Sequence, residues 1–204
     1  MATFGNTHSN GDVVRHWPDW AGASWYPMNA ENGQLTKISL KAVAVTVPAK
    51  VKVSLYSVTG DLPDIKLSTS DELTIDADAW YDFTISHNLL ANTKYAFVIM
   101  SDQSIWVHYD AGGAASQWSQ KSSLTYPNFP DPYGSADSTS DRMESIYGTY
   151  TPTAPPPPSA GVAGGGGFFL DTRYIGERII EKAAKTAFVY GLNWLVSIVL
   201  DEDS

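Results

Sequence analysis

The sequence predicts a mainly β protein: an antiparallel two-sheet β-sandwich, jelly-roll-like or immunoglobulin-like in its connections, followed by a Pro/Gly linker and one C-terminal α-helix. Three observations predict it. Between residues 35 and 150, short runs rich in β-branched and aromatic residues are divided by Gly, Pro, Asp and Asn. Several runs alternate, with Val51, Val53 and Leu55 set against Lys52, Ser54 and Tyr56, and with Tyr95, Phe97 and Ile99 repeating the pattern. That two-residue period is the mark of strands with one buried face each. Finally, no stretch before residue 170 carries the 3.6-residue period of an amphipathic helix.

In chain order, strands are expected at residues 24–28, 35–47 and 51–58. Thr59-Gly60-Asp61 and Leu62-Pro63-Asp64 then turn the chain, and further strands follow at 72–75 and 80–86. Ala91-Asn92 turns it into 94–101, and Gly112-Gly113 closes the strand at 105–109 before those at 116–119 and 145–150. Trp80, Trp106 and Tyr147 lie inside these strand patterns and are assigned to the core. Residues 126–142, rich in Pro, Asp and Ser, read as a long loop, and long loops in compact domains often carry function.

The sandwich domain is therefore placed at residues 1–150. Residues 151–167 form a linker, first a semi-rigid proline run and then a glycine hinge. Residues 168–204 hold a helix that Asp171 or Thr172 caps and that runs to about Leu200. Its first part is amphipathic, with Ile175, Ile179 and Ala183 on one side, and its second part is almost wholly apolar through Phe188, Tyr190, Trp194, Leu195 and Ile198. Residues 183–200 approach the ~17–20 needed to span a bilayer, interrupted by Lys185 and Asn193. Arg173, Arg178, Lys182 and Lys185 precede this stretch and Asp201, Glu202 and Asp203 follow it, which would hold the sandwich on the cytoplasmic side. Two other uses fit the same helix: a homo-oligomeric stem with Ile175, Ile179, Thr186, Tyr190, Asn193 and Ser197 near one seam, or docking in an assembly or on its own domain.

Composition narrows the function classes. The chain has 204 residues, 43% hydrophobic, 12% aromatic and only 17% charged, with a formal net charge of −9. Nucleic-acid binding needs a positive footprint and none is visible in the body of the chain. The absence of cysteine removes disulfides, thiolate metal sites and cysteine nucleophiles. Residues 1–11 have neither a basic start nor an apolar run, so the sequence predicts synthesis in the cytoplasm without a signal peptide, and a final place on a virion, cell surface or membrane.

No zinc-protease helix, phosphate loop, dinucleotide fingerprint or nucleophile elbow occurs, and Gly164–Gly167 read as a hinge because no Lys-Ser/Thr follows. No cofactor is expected. Of His8, His16, His87 and His108, only His108 has a suitable neighbour, Asp110, on the same strand face; surface histidines are the expectation. Carboxylates gather at Asp76, Asp78 and Asp82 and again at Asp131, Asp137 and Asp141. Asp76, Asp78 and Asp131 are weak calcium candidates, and a glycoside hydrolase would need a carboxylate pair across a cleft.

The aromatics carry more information. Trp17, Trp20, Trp25 and Tyr26 fall close together, and Tyr126, Phe129 and Tyr133 occupy the long loop. Exposed rings of this kind stack on sugars, with Gln117, Asn128 and Asp131 at hand as hydrogen-bonding groups. Trp17, Trp20, Trp25, Tyr126, Phe129 and Tyr133 are thus the candidate glycan contacts; the alternative is that the N-terminal cluster covers an open sheet edge.

Three passages together resemble jelly-roll-like β-sandwich modules of phage and archaeal virion or tail proteins and of microbial surface proteins. They are Val53-Ser54-Leu55-Tyr56 with Gly60, Pro63 and Leu67-Ser68; Trp80 to Leu90 with Thr93-Lys94-Tyr95; and Ser145 to Tyr150. The resemblance covers about residues 4–150 and implies display, adhesion or glycan recognition, with no catalytic residues. The expected function is a non-enzymatic structural or display protein, with a carbohydrate-binding module and a glycoside hydrolase-like enzyme as alternatives. Its partners would be copies of itself or other assembly subunits, a membrane, or glycans, and not nucleic acid.

Overall fold

A computed structural model of the chain describes residues 1–9, 11–44 and 47–153. The anchor residues expected from the sequence, Ile175, Ile179, Phe188, Tyr190, Trp194, Leu195 and Ile198, lie outside the described residues, as does the expected C-terminal helix.

All regular structure among the described residues is β. The first seven strands are β1 (Ala2–Gly5), β2 (Asp12–His16), β3 (Ala21–Pro27), β4 (Gly33–Ala44), β5 (Ala49–Thr59), β6 (Leu62–Thr69) and β7 (Leu73–Ile75). The rest are β8 (Ala79–Leu89), β9 (Lys94–Ser101), β10 (Ile105–Asp110), β11 (Trp118–Lys121), β12 (Ser138–Ser140), β13 (Met143–Glu144) and β14 (Ile146–Pro152). They form two seven-stranded sheets, and every pairing is antiparallel.

The first sheet runs β1-β14-β4-β10-β13, with β8 on the far side of β4 and β2 on β10. The second runs β12-β11-β3-β9-β5-β6, with β7 also on β5. Ser68 Oγ donates to the Ser86 carbonyl at 3.1 Å and Asp71 N–H to the Thr84 carbonyl at 3.4 Å, which ties the β5–β7 side of the second sheet to β8 of the first. The β5–β6 hairpin turns on Gly60 and Asp61, whose φ angles of 58° and 65° carry the double positive φ of a type I′ turn.

The main core lies between the sheets. Leu35, Ile38 and Leu40 of β4, Phe83 and Ile85 of β8, and Ile146 and Tyr150 of β14 face Val51, Val53 and Leu55 of β5 and Phe97 and Ile99 of β9. Phe4 sits at its aromatic centre, with its ring 5.2 Å from that of Phe97, and Tyr26 is 5.9 Å from Phe97. Ring pairs of this kind contribute ~0.5–1.5 kcal/mol each beyond the area they bury.

A second apolar layer departs from the one-buried-face expectation. On the outer side of the second sheet, Ala21, Ala23 and Trp25 of β3, Tyr56 of β5 and Ala96, Val98 and Met100 of β9 are buried beneath Phe129 and Tyr133. The long loop is therefore a lid packed on the sheet. The small side chains of β3 and Ala96 leave the room that the loop's rings fill.

The outer face of the first sheet corrects another expectation. Trp80, Trp106 and Tyr147 are half-buried there rather than in the core, because Ile105, Val107 and Ile146, their strand neighbours, take the inward positions. Trp80 and Tyr147 meet edge to face at 5.2 Å. Strands β1, β2, β6, β12 and β13 are not among those the sequence predicts: β2, β12 and β13 are short, and the Pro63-Asp64 pair in β6 resembles a turn.

Candidate ligand-binding site

Where β2 of the first sheet crosses to β3 of the second, the chain passes through Trp17-Pro18-Asp19-Trp20. Asp19 takes a φ of 61°, a left-handed value that an aspartate tolerates in a tight turn. This turn leaves Trp17 44% exposed, one of the few large apolar side chains so placed, and Trp20 half-buried beside it. The two indoles lie 6.4 Å apart at 46°.

Below them lies a shallow depression with about 10 Å³ of free space, lined by Arg15, His16, Trp17, Trp20, Gly22, Trp118 and Gln120. That is room for about one water molecule, far below the roughly 300 Å³ at which pockets for drug-sized ligands start. The cleft therefore encloses no sugar ring, and a ligand would rest on its rim, against the exposed Trp17 and the half-buried Trp20. Its lining includes three tryptophans, a glutamine, a histidine and an arginine, and no carboxylate.

The floor is held by a buried carboxylate. Glu144, on β13, is fully buried and accepts from His16 Nε2 at 2.6 Å and Trp118 Nε1 at 2.7 Å on one oxygen, and from Ser24 Oγ at 3.1 Å on the other. Burial pushes this carboxyl upward, but the His16 charge and the hydrogen bonds from His16, Trp118 and Ser24 outweigh it and hold it below the ordinary glutamate value. Tyr26 donates to the Glu144 backbone carbonyl at 2.5 Å, and burial first, then the Glu144 charge, raises its phenol well above its ordinary value.

Gly22 completes the floor. A Cβ there would lie 2.1 Å from His16 Cε1 and 2.6 Å from Nδ1, so the imidazole occupies the space a side chain would need. Opposite Gly22, Gln120 is its cross-strand partner in β11, and Trp118 faces Ser24 in the same pairing.

Two arginines frame the tryptophans. The Arg15 guanidinium lies 3.9 Å from the Trp17 ring centroid and donates through Nε and Nη2 to Ser104 Oγ at 3.1 and 2.9 Å. Arg142 lies 3.8 Å over Trp118 and 5.4 Å over Tyr109.

Of the six candidate contacts, the structure brings only Trp17 and Trp20 to the cleft. Trp25 is 7% exposed, donates from Nε1 to the Ser116 carbonyl at 3.0 Å and carries Lys94 over its ring at 4.0 Å. Phe129 is 7% exposed and Tyr133 is fully buried, where its hydroxyl donates to the Ala21 carbonyl at 3.2 Å and its ring meets Tyr56 edge to face at 6.0 Å. Burial raises the phenols of Tyr56 and Tyr133 alike. Tyr126 is half-buried, with its hydroxyl on Glu72 Oε2 at 2.9 Å. Gln117 is no free donor: its amide bonds the Trp25 carbonyl and the Ala114 N–H.

The weak calcium candidates are engaged separately. Asp76 Oδ1 accepts from Tyr81, Asp78 Oδ1 meets Lys41 at 2.6 Å, and Asp131 Oδ1 accepts from Lys66 N–H at 3.2 Å. Among the described residues no three His, Asp or Glu side chains are grouped to hold a metal ion. Asp110 pairs with His8 at 2.7 Å rather than with His108, which instead faces Asp78 at 3.3 Å. His16 departs furthest from the surface expectation, being 5% exposed.

Sequence reasoning does not place Arg15, Gly22, Trp118, Gln120 or Glu144 in the site, and it takes His16 for a surface histidine. No protein-family model matches the chain, and no curated protein matches it.

Proposed function

We propose that this protein is a non-enzymatic display module, a virion or cell-surface component whose β-sandwich presents the Trp17–Trp20 cleft to a carbohydrate. The observation that carries the reading is the cleft itself: exposed and half-exposed indoles stand over a floor fixed by a buried hydrogen-bond network. Indole faces and edges take the C–H surfaces of a sugar ring, and Gln120 offers the amide that orients its hydroxyls. The acid nearest the cleft, Glu144, has both oxygens engaged, which supports binding over glycoside hydrolysis. The second part of the proposal rests on sequence: the proline and glycine linker and the apolar stretch at 183–200 suit a spacer and an anchor in a membrane or an assembly.

A glycan array probed with the full chain tests the first part. Retention of one glycan class, abolished by Trp17→Ala or Trp20→Ala and kept by the outer-face change Trp80→Ala, is expected. Retention indifferent to Trp17 and Trp20 would overturn the cleft as the site. Sedimentation of the full chain with and without detergent tests the second part: a detergent-dependent species or a defined oligomer is expected, and a detergent-indifferent monomer would contradict anchoring and self-assembly alike.

A further inference from the structure

We infer that the glycan is acidic, a sugar bearing a carboxylate or sulfate that Arg15 reads, an inference that rests on the glycan-binding reading of the same cleft. The chain carries a formal net charge of −9, yet no acidic side chain lines the cleft and a guanidinium does. Among the described lysines, Lys52, Lys66 and Lys121 reach no carboxylate, and four others do. Lys37, Lys41, Lys50 and Lys94 reach carboxylates at 2.6, 2.6, 3.4 and 2.5 Å. Neither Arg15 nor Arg142 has a carboxylate partner among the described residues, and these are the two arginines of the described chain.

Arg15 is also set in place before any ligand arrives. Ser104 Oγ accepts from Nε–H and Nη2–H, and Cζ stands 3.9 Å from the Trp17 ring centroid, so the fork is held while Nη1 keeps its donors. A planar fork held this way matches a carboxylate or sulfate better than a mobile ammonium does. Arg142, stacked on the cleft-wall residue Trp118 and bonded through Nε to Ser140 Oγ at 3.0 Å, adds a second positive charge to the same region. Neutral sugars would use the indoles and Gln120 alone and leave the charge of Arg15 unmatched.

The test uses the full chain on immobilised neutral oligosaccharides and on their uronate, sialylated and sulfated counterparts, at low and high salt. Retention of acidic glycans, weakened by salt and reduced about tenfold or more by Arg15→Gln, is the expected result. Arg15→Lys should recover part of the loss, since it restores charge without the fork. Unfolding midpoints of both variants show whether the fold is intact, and the salt response of the unaltered chain stands independently of them. Equal retention of neutral and acidic forms, unmoved by salt, would overturn the inference and leave the glycan reading standing. Retention of no glycan would overturn that reading itself.

Discussion

His16 Nε2 on β2 and Glu144 Oε1 on β13, two strands that both pair with β10 of one sheet, stand 2.6 Å apart, while the same carboxylate takes hydrogen bonds from Trp118 and Ser24 of the other. Glu144 is thus a polar tie between two sheets whose core is otherwise apolar. Breaking a buried pair by removing one partner strands the other, at a cost of about 3–5 kcal/mol. His16→Ala is expected to lower unfolding stability by that amount in urea titrations, and the His16→Ala, Glu144→Ala double variant to cost less than the sum of the two. An effect of His16→Ala within about 0.5 kcal/mol would show that the contact is not stabilising.

The pH response follows from the same pair. Glu144 sits below its ordinary value in the fold, and so does Asp78, held there first by the Lys41 hydrogen bond. A depressed carboxylate stabilises the fold fully above its unfolded value, about 3.9–4.3, and that stability is lost as pH falls through the folded value. Urea midpoints should hold steady from neutral pH to about pH 5 and fall below about pH 4, with a shallower fall in Glu144→Gln. A midpoint that rises in acid would contradict the assignment.

Gly22 sets the position of the imidazole. Gly22→Ala places a methyl 2.1 Å from His16 Cε1 and forces the ring off Glu144. The expected cost is at least ~1–3 kcal/mol, read from unfolding, together with a change in the His16 ring resonances. Unchanged resonances would show that the ring does not rest on Gly22.

The lid and the cleft should separate in mutagenesis. Phe129→Ala and Tyr133→Ala remove buried rings and should each cost about 3–5 kcal/mol. Trp17→Ala, at an exposed ring with one cation stacked on it, should cost under about 1.5 kcal/mol and fall on binding instead. If Tyr133→Ala were neutral for stability, the loop would not be a lid.

The fold was legible where a strand shows one apolar face. Val51, Val53 and Leu55, and Tyr95, Phe97 and Ile99, point inward as their alternation requires. Pattern failed where both faces are buried, since Ala96, Val98 and Met100 fill the outer side of β9 under a lid that composition marks as loop. It failed again at Trp80, Trp106 and Tyr147, because aromatic strand residues suit either side of a sheet and only register decides. Within the site, Trp17 and Trp20 were visible as neighbours in the chain. Glu144 and Trp118 lie more than a hundred residues from His16 and Trp17, and antiparallel pairing across two sheets is what brings them together.

On the glycan-binding proposal, the ligand rests against Trp17 and Trp20 at the rim of the cleft. The direct measurement is to follow the indole N–H resonances of the full chain during titration with the glycan that the array selects. The Trp17 and Trp20 signals are expected to move and saturate together, while that of Trp25, buried and bonded to the Ser116 carbonyl, stays in place. Movement confined to Trp80 and Trp106, on the outer face of the first sheet, would contradict the proposal.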